Sequence, residues 1–309
     1  MPTTVTRRTL DLAGLDVPFV EAVGAEDGPL LTVIAGVHGC EYVPMAAVQA
    51  WTKSLEQREI SGRVRAVPIL NVTAFRGRSP FVVPEDGKNL NRCFPGNPDG
   101  TLAERLAHDA FTQLITGSDA VIDAHCGDMV EALEPFALYE AGAAEAAARD
   151  LAVAYGLGYI IRQEAGPDRA VSGTSSGAAA AAGIAAITAE VGGCGIVEQW
   201  AVDAHVRGLN AALAQLGMAT PVNGAAAAAH EPVVLNRFLW LRCAAAGWWA
   251  PTVKAGDKVT EGQVIGQVTS LDGARVQESV TAPADGVIIF LTSSPAVADD
   301  GLLLGLGAA

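Results

Sequence analysis

Short apolar runs alternate along this chain with longer stretches that carry apolar residues at helical intervals, and that alternation sets the expected fold. The runs at 31–37, 64–70, 120–125, 159–161 and 184–189 are mostly apolar and read as strands, the first as a buried one. The segments 42–58, 101–115, 143–155, 173–182 and 198–216 read as helices between them. The first keeps Ala46, Ala47, Ala50, Trp51 and Leu55 on one side and tolerates Pro44 in its opening turn. Thr101-Leu102-Ala103-Glu104 has the spacing of a capping box. Residues before 30 read as an edge hairpin closed by the turn-rich segment 24–29. Strands alternating with helices predict an α/β domain over residues 1–220, with a mostly parallel or mixed central sheet flanked by helices.

After residue 220 the pattern changes. Residues 221–231, with an alanine run at 225–229, read as a linker. Short strands at 253–259, 262–268 and 280–288 then succeed one another around Gly-centred turns, predicting a small all-β domain over 232–309. This stretch resembles the barrel-sandwich fold of biotinyl and lipoyl carriers. The corresponding turn, Leu271-Asp272-Gly273-Ala274, lacks the lysine a carrier would modify, so a structural cover is expected instead.

Composition narrows the function. With 309 residues, half of them hydrophobic, the chain can bury a large core. No apolar run of about 18 residues suggests a membrane span. Asp11 and Asp16 interrupt the segment after Arg7 and Arg8, so the start does not read as a signal peptide and a cytoplasmic location is expected. A net charge of −14 argues against nucleic-acid binding, which needs a basic face. It also makes any arginine near a site for an anionic substrate informative. The five cysteines form no CxxC pair, and Cys40, Cys93, Cys126 and Cys194 read as small packing groups.

Candidate chemistry falls at strand ends. His38 and Glu41 come just after the first buried run, His125 ends another, and Glu190 ends a third. In open α/β sheets, ligands gather beyond the carboxyl ends of the strands. His38, Glu41 and His125 would form a His₂Glu zinc site with one position open to water. Glu190 would be the carboxylate that takes the water proton. The long segment 71–100, dense in Gly, Pro, Asn and Asp, reads as a functional loop. Within it Arg92 offers a planar fork for a carboxylate, and Asn91 a hydrogen bond beside it. Arg76 and Arg78 sit in a Gly-containing turn; Arg78 is the better candidate to polarise a carbonyl, and Arg76 reads as a surface group. His108 and His205 fall within amphipathic helices and read as solvent-facing or packing residues.

Four motifs occur in order: Gly36-Val37-His38-Gly39-Cys40-Glu41, then Asn89-Leu90-Asn91-Arg92-Cys93-Phe94-Pro95-Gly96, then Asp123-Ala124-His125, then Thr188-Ala189-Glu190-Val191-Gly192-Gly193. Together they resemble the succinylglutamate desuccinylase/aspartoacylase family, which is related to the zinc carboxypeptidases of the carboxypeptidase A type. The resemblance implies one zinc per chain on His38, Glu41 and His125, and Glu190 as general base. It also implies a substrate carboxylate on Asn91 and Arg92, and Arg78 as the arginine that polarises the scissile carbonyl. The implied activity is hydrolysis of a small N-acyl amino acid. The alternatives are a peptide-cleaving metallocarboxypeptidase and a non-catalytic binding protein. The exposed β domain offers a surface for homo-oligomer formation. Aspartoacylase carries an arginine shortly before the base, where this chain has Ala178-Ala179-Ala180, which implies a smaller or less acidic acyl group.

Overall fold

A computed structural model describes residues 3–164, 172–221 and 231–309. The expected linker at 221–231 lies almost wholly outside the described residues. Two strands, β1 (Thr4–Leu12) and β2 (Leu15–Val23), form the anticipated edge hairpin. They are followed by β3 (Glu26–Ala35), α1 (Tyr42–Ser54), β4 (Ser61–Val67), α2 (Val72–Gly77), α3 (Leu102–Ala110) and β5 (Ala120–His125). Next come β6 (Glu131–Leu133), β7 (Phe136–Glu140), α4 (Glu145–Tyr155), β8 (Tyr159–Gln163), α5 (Ser175–Ala181), β9 (Ala185–Glu190), α6 (Gln199–Gln215) and β10 (Val233–Leu235).

Nine of these strands make one mixed sheet in the order β1-β2-β4-β3-β5-β9-β7-β8-β10. Its centre, β4-β3-β5-β9, is parallel, and β7 runs antiparallel to β9. The continuous apolar runs are explained by cover on both faces. In β3, β5 and β9, Leu31, Val33, Ile122, Ala124, Ile187 and Ala189 meet residues of α1, α4 and α6, including Val43, Trp51, Leu151 and Leu209. The alternate positions Ile34, Val121 and Ala186 meet Leu106, Ala107 and Ala179 of α3 and α5 on the other face. Truncating a fully buried side chain such as Trp51 would cost about 3–5 kcal/mol.

The remaining strands are β11 (Arg237–Arg242), β12 (Gly247–Pro251), β13 (Lys258–Val259), β14 (Val264–Thr269), β15 (Val276–Thr281), β16 (Gly286–Thr292), β17 (Ala296–Val297) and β18 (Leu302–Ala308). They form two sheets, β11-β18-β16-β13 and β15-β14-β12-β17, around Trp249, Ile265, Ile288 and Leu304.

The two halves exchange strands. β10 pairs with β8 in the large sheet, and β6 pairs with β16 in the C-terminal one. Phe136, Ile161, Leu235, Val287 and Ile289 close the seam.

Three details differ from the pattern of the sequence. The loop at 71–100 contains α2 and a 3₁₀ turn at Leu90–Arg92. The helix expected over 101–115 has its capping box, but α3 stops at Ala110 and the chain continues as one wide turn, Phe111–Ile115, with Thr116 N–H donating to Phe111 O at 2.9 Å. Finally, β6 and β7 fall in a segment with no clear strand pattern, because charged residues and Pro135 interrupt it.

Candidate metal centre

The sheet order brings the strand-end residues together. β3, β5 and β9 are neighbours, with Ala35 opposite Ala124 and His125 opposite Glu190. His38 and Glu41 lie beyond β3 in a turn that only glycine permits at position 39, where a Cβ would come within 2.3 Å of the Ala74 backbone. Glu41 is the N-cap of α1 but makes no side-chain capping bond. Its carboxylate is committed instead to His38 Nδ1 at 2.5 Å, His125 Nδ1 at 2.7 Å and the Cys126 N–H at 3.2 Å.

The donor set fits a metal ion. Ligand atoms of His38, Glu41 and His125 all lie within 4.8 Å of one another, and the three residues are buried. Both imidazoles turn Nδ1 inward, while each Nε2 has an outer partner: Asn89 Oδ1 at 3.0 Å for His38, and Asp123 Oδ2 at 3.0 Å for His125. With each Nε2–H donated outward, each Nδ1 faces a Glu41 oxygen, and such a contact needs a proton or a metal ion between the two atoms. Outer partners of this kind fix the tautomer and orientation of ligating histidines.

Electrostatics around the site are polarised. Burial pushes the Glu41 carboxyl up, but the charges of His125 and His38 outweigh it and hold the group at about 2. Burial opposes charge on His125, yet Asp123 and Glu41 raise it well above the ordinary histidine range. Burial pushes Glu190 up to about 8, partly offset by His125 and reinforced by Glu41, Glu131 and Asp123. A divalent cation nearby would pull that value down, towards the range a general base needs.

The structure also shows supports that the sequence pattern does not mark. His205 is fully buried, donates from Nε2 to the His125 carbonyl at 3.0 Å and accepts the Tyr155 hydroxyl on Nδ1 at 2.8 Å. Burial holds it at about 4, so it stays neutral and steadies the backbone at the end of β5. Of the two roles the sequence allows, solvent-facing or packing, packing is the one found; the hydrogen bonds are new. Ser175, at the start of α5, donates its hydroxyl to Asp123 and its backbone N–H to Asn91 Oδ1 (the latter at 2.9 Å). Asp123, two residues before His125 in the Asp-Ala-His motif, was the available signal for this support.

A cavity of about 340 Å³ opens over the centre, within the size range of small-molecule sites. His38, Glu41, Asn91, Arg92, His125 and Glu190 line it together. Asn91 is buried with Nδ2 3.3 Å from His125 Nε2, and Arg92 is exposed, with Nη1 donating to the Asn91 carbonyl at 2.7 Å. Phe81 packs edge-on against His38 at 5.9 Å. The far wall comes from the β11-β18-β16 sheet: alternate residues Phe238, Trp240 and Arg242 of β11, with Phe290 and Leu302. Arg78 is not among the lining residues. It is exposed at the end of α2 in a left-handed conformation, φ 51°, and its charge is felt by Cys40 and Tyr42. Cys126 lines the cavity, and none of the five cysteines is in a disulfide.

Fold and site together describe an α/β domain carrying a His-Glu-His centre at the carboxyl rim of its sheet, roofed by a β region. Residues 27–216 match the catalytic domain described as succinylglutamate desuccinylase/aspartoacylase. The N-alpha-acetyl-L-2,4-diaminobutyric acid deacetylase of Halomonas elongata is 32% identical over 281 residues, covering 87% of this chain and 79% of that protein. Among solved structures, the product-bound ectoine utilization protein EutE (DoeB) from Ruegeria pomeroyi superposes with a TM-score of 0.85 at 23% identity, covering 100% of this chain and 96% of that one. A succinylglutamate desuccinylase/aspartoacylase from Rhodobacter sphaeroides gives 0.82 at 22% identity, over 98% and 94%. The chain belongs to the succinylglutamate desuccinylase/aspartoacylase family. Among the described residues, no helix is long and apolar enough to cross a membrane.

Proposed function

We propose that this protein is a zinc-dependent hydrolase that removes the acyl group from a small N-acyl amino acid. The observation that carries the reading is the convergence of His38, Glu41 and His125 within 4.8 Å at the floor of a cavity that Glu190 and Arg92 also line. Zinc on these three residues would supply Lewis acidity, polarising the acyl carbonyl and acidifying a water. Glu190 takes the proton of that water as it attacks, then delivers it to the departing amine. Arg92 holds the substrate carboxylate with its planar fork, and Asn91 adds a donor beside it. Arg78, the other proposed catalytic group, lies outside the cavity lining, so it acts on the carbonyl only if its loop moves inward.

Small substrates are favoured over peptides because Phe238, Trp240, Phe290 and Leu302 wall off the side of the cavity away from the rim. The deacetylase activity named for the Halomonas relative supports acetyl as the acyl group, and so does the absence of an arginine at Ala178-Ala179-Ala180. The test is a turnover screen of N-acetyl, N-succinyl and N-formyl amino acids beside a peptide panel, using zinc-loaded protein. Release of free amino acid from the N-acetyl set is the expected result. Rapid cleavage of C-terminal peptide bonds would overturn the reading in favour of a carboxypeptidase.

A further inference from the structure

Glu131 is a carboxylate of the catalytic cavity that the chemistry above does not use. It is built into the wall. As a residue of β6 it pairs with Thr292, where the C-terminal sheet meets the catalytic half. Its carbonyl accepts the Cys194 N–H at 3.0 Å, and a Cβ added to Gly127 or Gly193 would come within 2.3 or 2.2 Å of that oxygen. Two glycines and a strand pairing therefore fix where its side chain starts.

The carboxylate itself is poorly compensated. Oε2 accepts the Asp128 N–H at 3.2 Å, and among the described residues no cation forms an ion pair with it. Burial, with Glu41 and Asp128 nearby, pushes the group up to about 7, against the help of that N–H and of the His38 charge. Arg92 is close enough for the two charges to interact. Arg92 and Glu131 both line the cavity, which thus presents a guanidinium and a carboxylate to one ligand space.

We propose that Glu131 receives the side-chain ammonium of an Nα-acyl diamino acid whose α-carboxylate rests on Arg92. This rests on the deacylase reading above and names its substrate class. A pair of opposite fixed charges is complementary to a ligand carrying one carboxylate and one ammonium. A substrate with a second carboxylate would set like charge against Glu131, and one with an apolar side chain would leave a half-buried carboxylate with no counter-charge beyond the Asp128 N–H. The acidic residue thus selects against N-acyl dicarboxylic amino acids as well as for the cationic ones.

The experiment compares three substrates of similar size on zinc-loaded wild type and Glu131→Gln: Nα-acetyl-L-2,4-diaminobutyrate, N-acetyl-L-norvaline and N-acetyl-L-glutamate. Wild type should prefer the cationic substrate over norvaline by about tenfold or more in kcat/KM, chiefly through KM, with the glutamate derivative poorest. In Glu131→Gln the ratio of cationic to neutral substrate should fall to within about threefold. A merely structural role would lower all three substrates together and leave the ratio unchanged, which overturns the proposal. Should the variant not fold, the wild-type panel alone decides, because equal turnover of the cationic and neutral substrates contradicts the assignment. Hydrolysis of none of the three contradicts the deacylase reading itself, a different outcome from hydrolysis without preference.

Discussion

The floor and the roof of the cavity are built on different principles. The floor, at the ends of β3, β5 and β9, is held by polar contacts of 2.5–3.3 Å in which nearly every donor and acceptor is committed. His38 and His125 are each held on both ring nitrogens, and Glu41 on both oxygens. The roof, from β11, β16 and β18, is an aromatic wall: the Trp240 ring lies tilted against Phe290 and Phe238, with centroids 5.1 Å and 5.2 Å away. A network of short polar contacts admits one arrangement, whereas apolar packing tolerates substitution of similar volume. The floor is suited to fix the chemistry and the roof to set what enters.

That contrast is open to direct attack. Removing the metal with a chelator should abolish turnover and lower the unfolding midpoint, because a ligand present at about 1,000 times its Kd adds about 4 kcal/mol to the folded state. Calorimetry before and after zinc is restored checks this, and full activity in metal-free protein would contradict the role given to the floor. Opening the roof with Trp240→Ala should be milder, lowering kcat/KM for small N-acyl amino acids about tenfold, mostly through KM, while admitting bulkier acyl groups. An equal loss in kcat would mean that the roof shapes the chemistry as well. Arg78→Ala should change kcat less than about threefold, since the residue lies outside the cavity lining. A loss of two orders of magnitude would show that α2 and its loop close over the substrate.

The smallest effect concerns how the Arg92 loop is tied down. Lys88 pairs with Glu104 at 2.9 Å, and the Thr101 N–H donates to the same carboxylate at 2.8 Å. The Thr101 N–H, then Lys88, holds Glu104 at about 2, well below its usual value. A folded-state value below the unfolded one contributes stability at pH above the ordinary carboxylate range, and that contribution is lost as pH falls towards about 2. Acid titration of unfolding should therefore show a steeper fall for wild type than for Glu104→Gln over that window. Identical profiles would show that this anchor contributes nothing.

The same floor and roof explain what could be read from the sequence. The proposed metal chemistry calls for particular residue types, so His38, Glu41 and His125 stand out as motifs, and the apolar runs of β3, β5 and β9 place them on one rim. The carriers of the roof left no such mark. Phe238, Trp240 and Arg242 alternate on β11 like any strand with one covered face, and nothing in that pattern says which cavity they cover. β6 and β7 escaped for a related reason: their pairing partners, β16 and β9, lie far away in sequence and supply the order that local residues do not. His205 was legible as a packing residue, but its bond to the His125 carbonyl depends on the placement of α6 against β5. The exposure of Arg78 likewise stems from a short helix, α2, inside a segment that reads as loop.

Glu190→Gln, assayed for zinc content and for turnover of N-acetyl amino acids on one preparation, tests the division of labour between Glu41 and Glu190 most directly. One equivalent of zinc should remain, with a fall in kcat of about a hundredfold to ten-thousandfold, the scale of general-base catalysis. Turnover close to wild type, or loss of the zinc, would contradict that division.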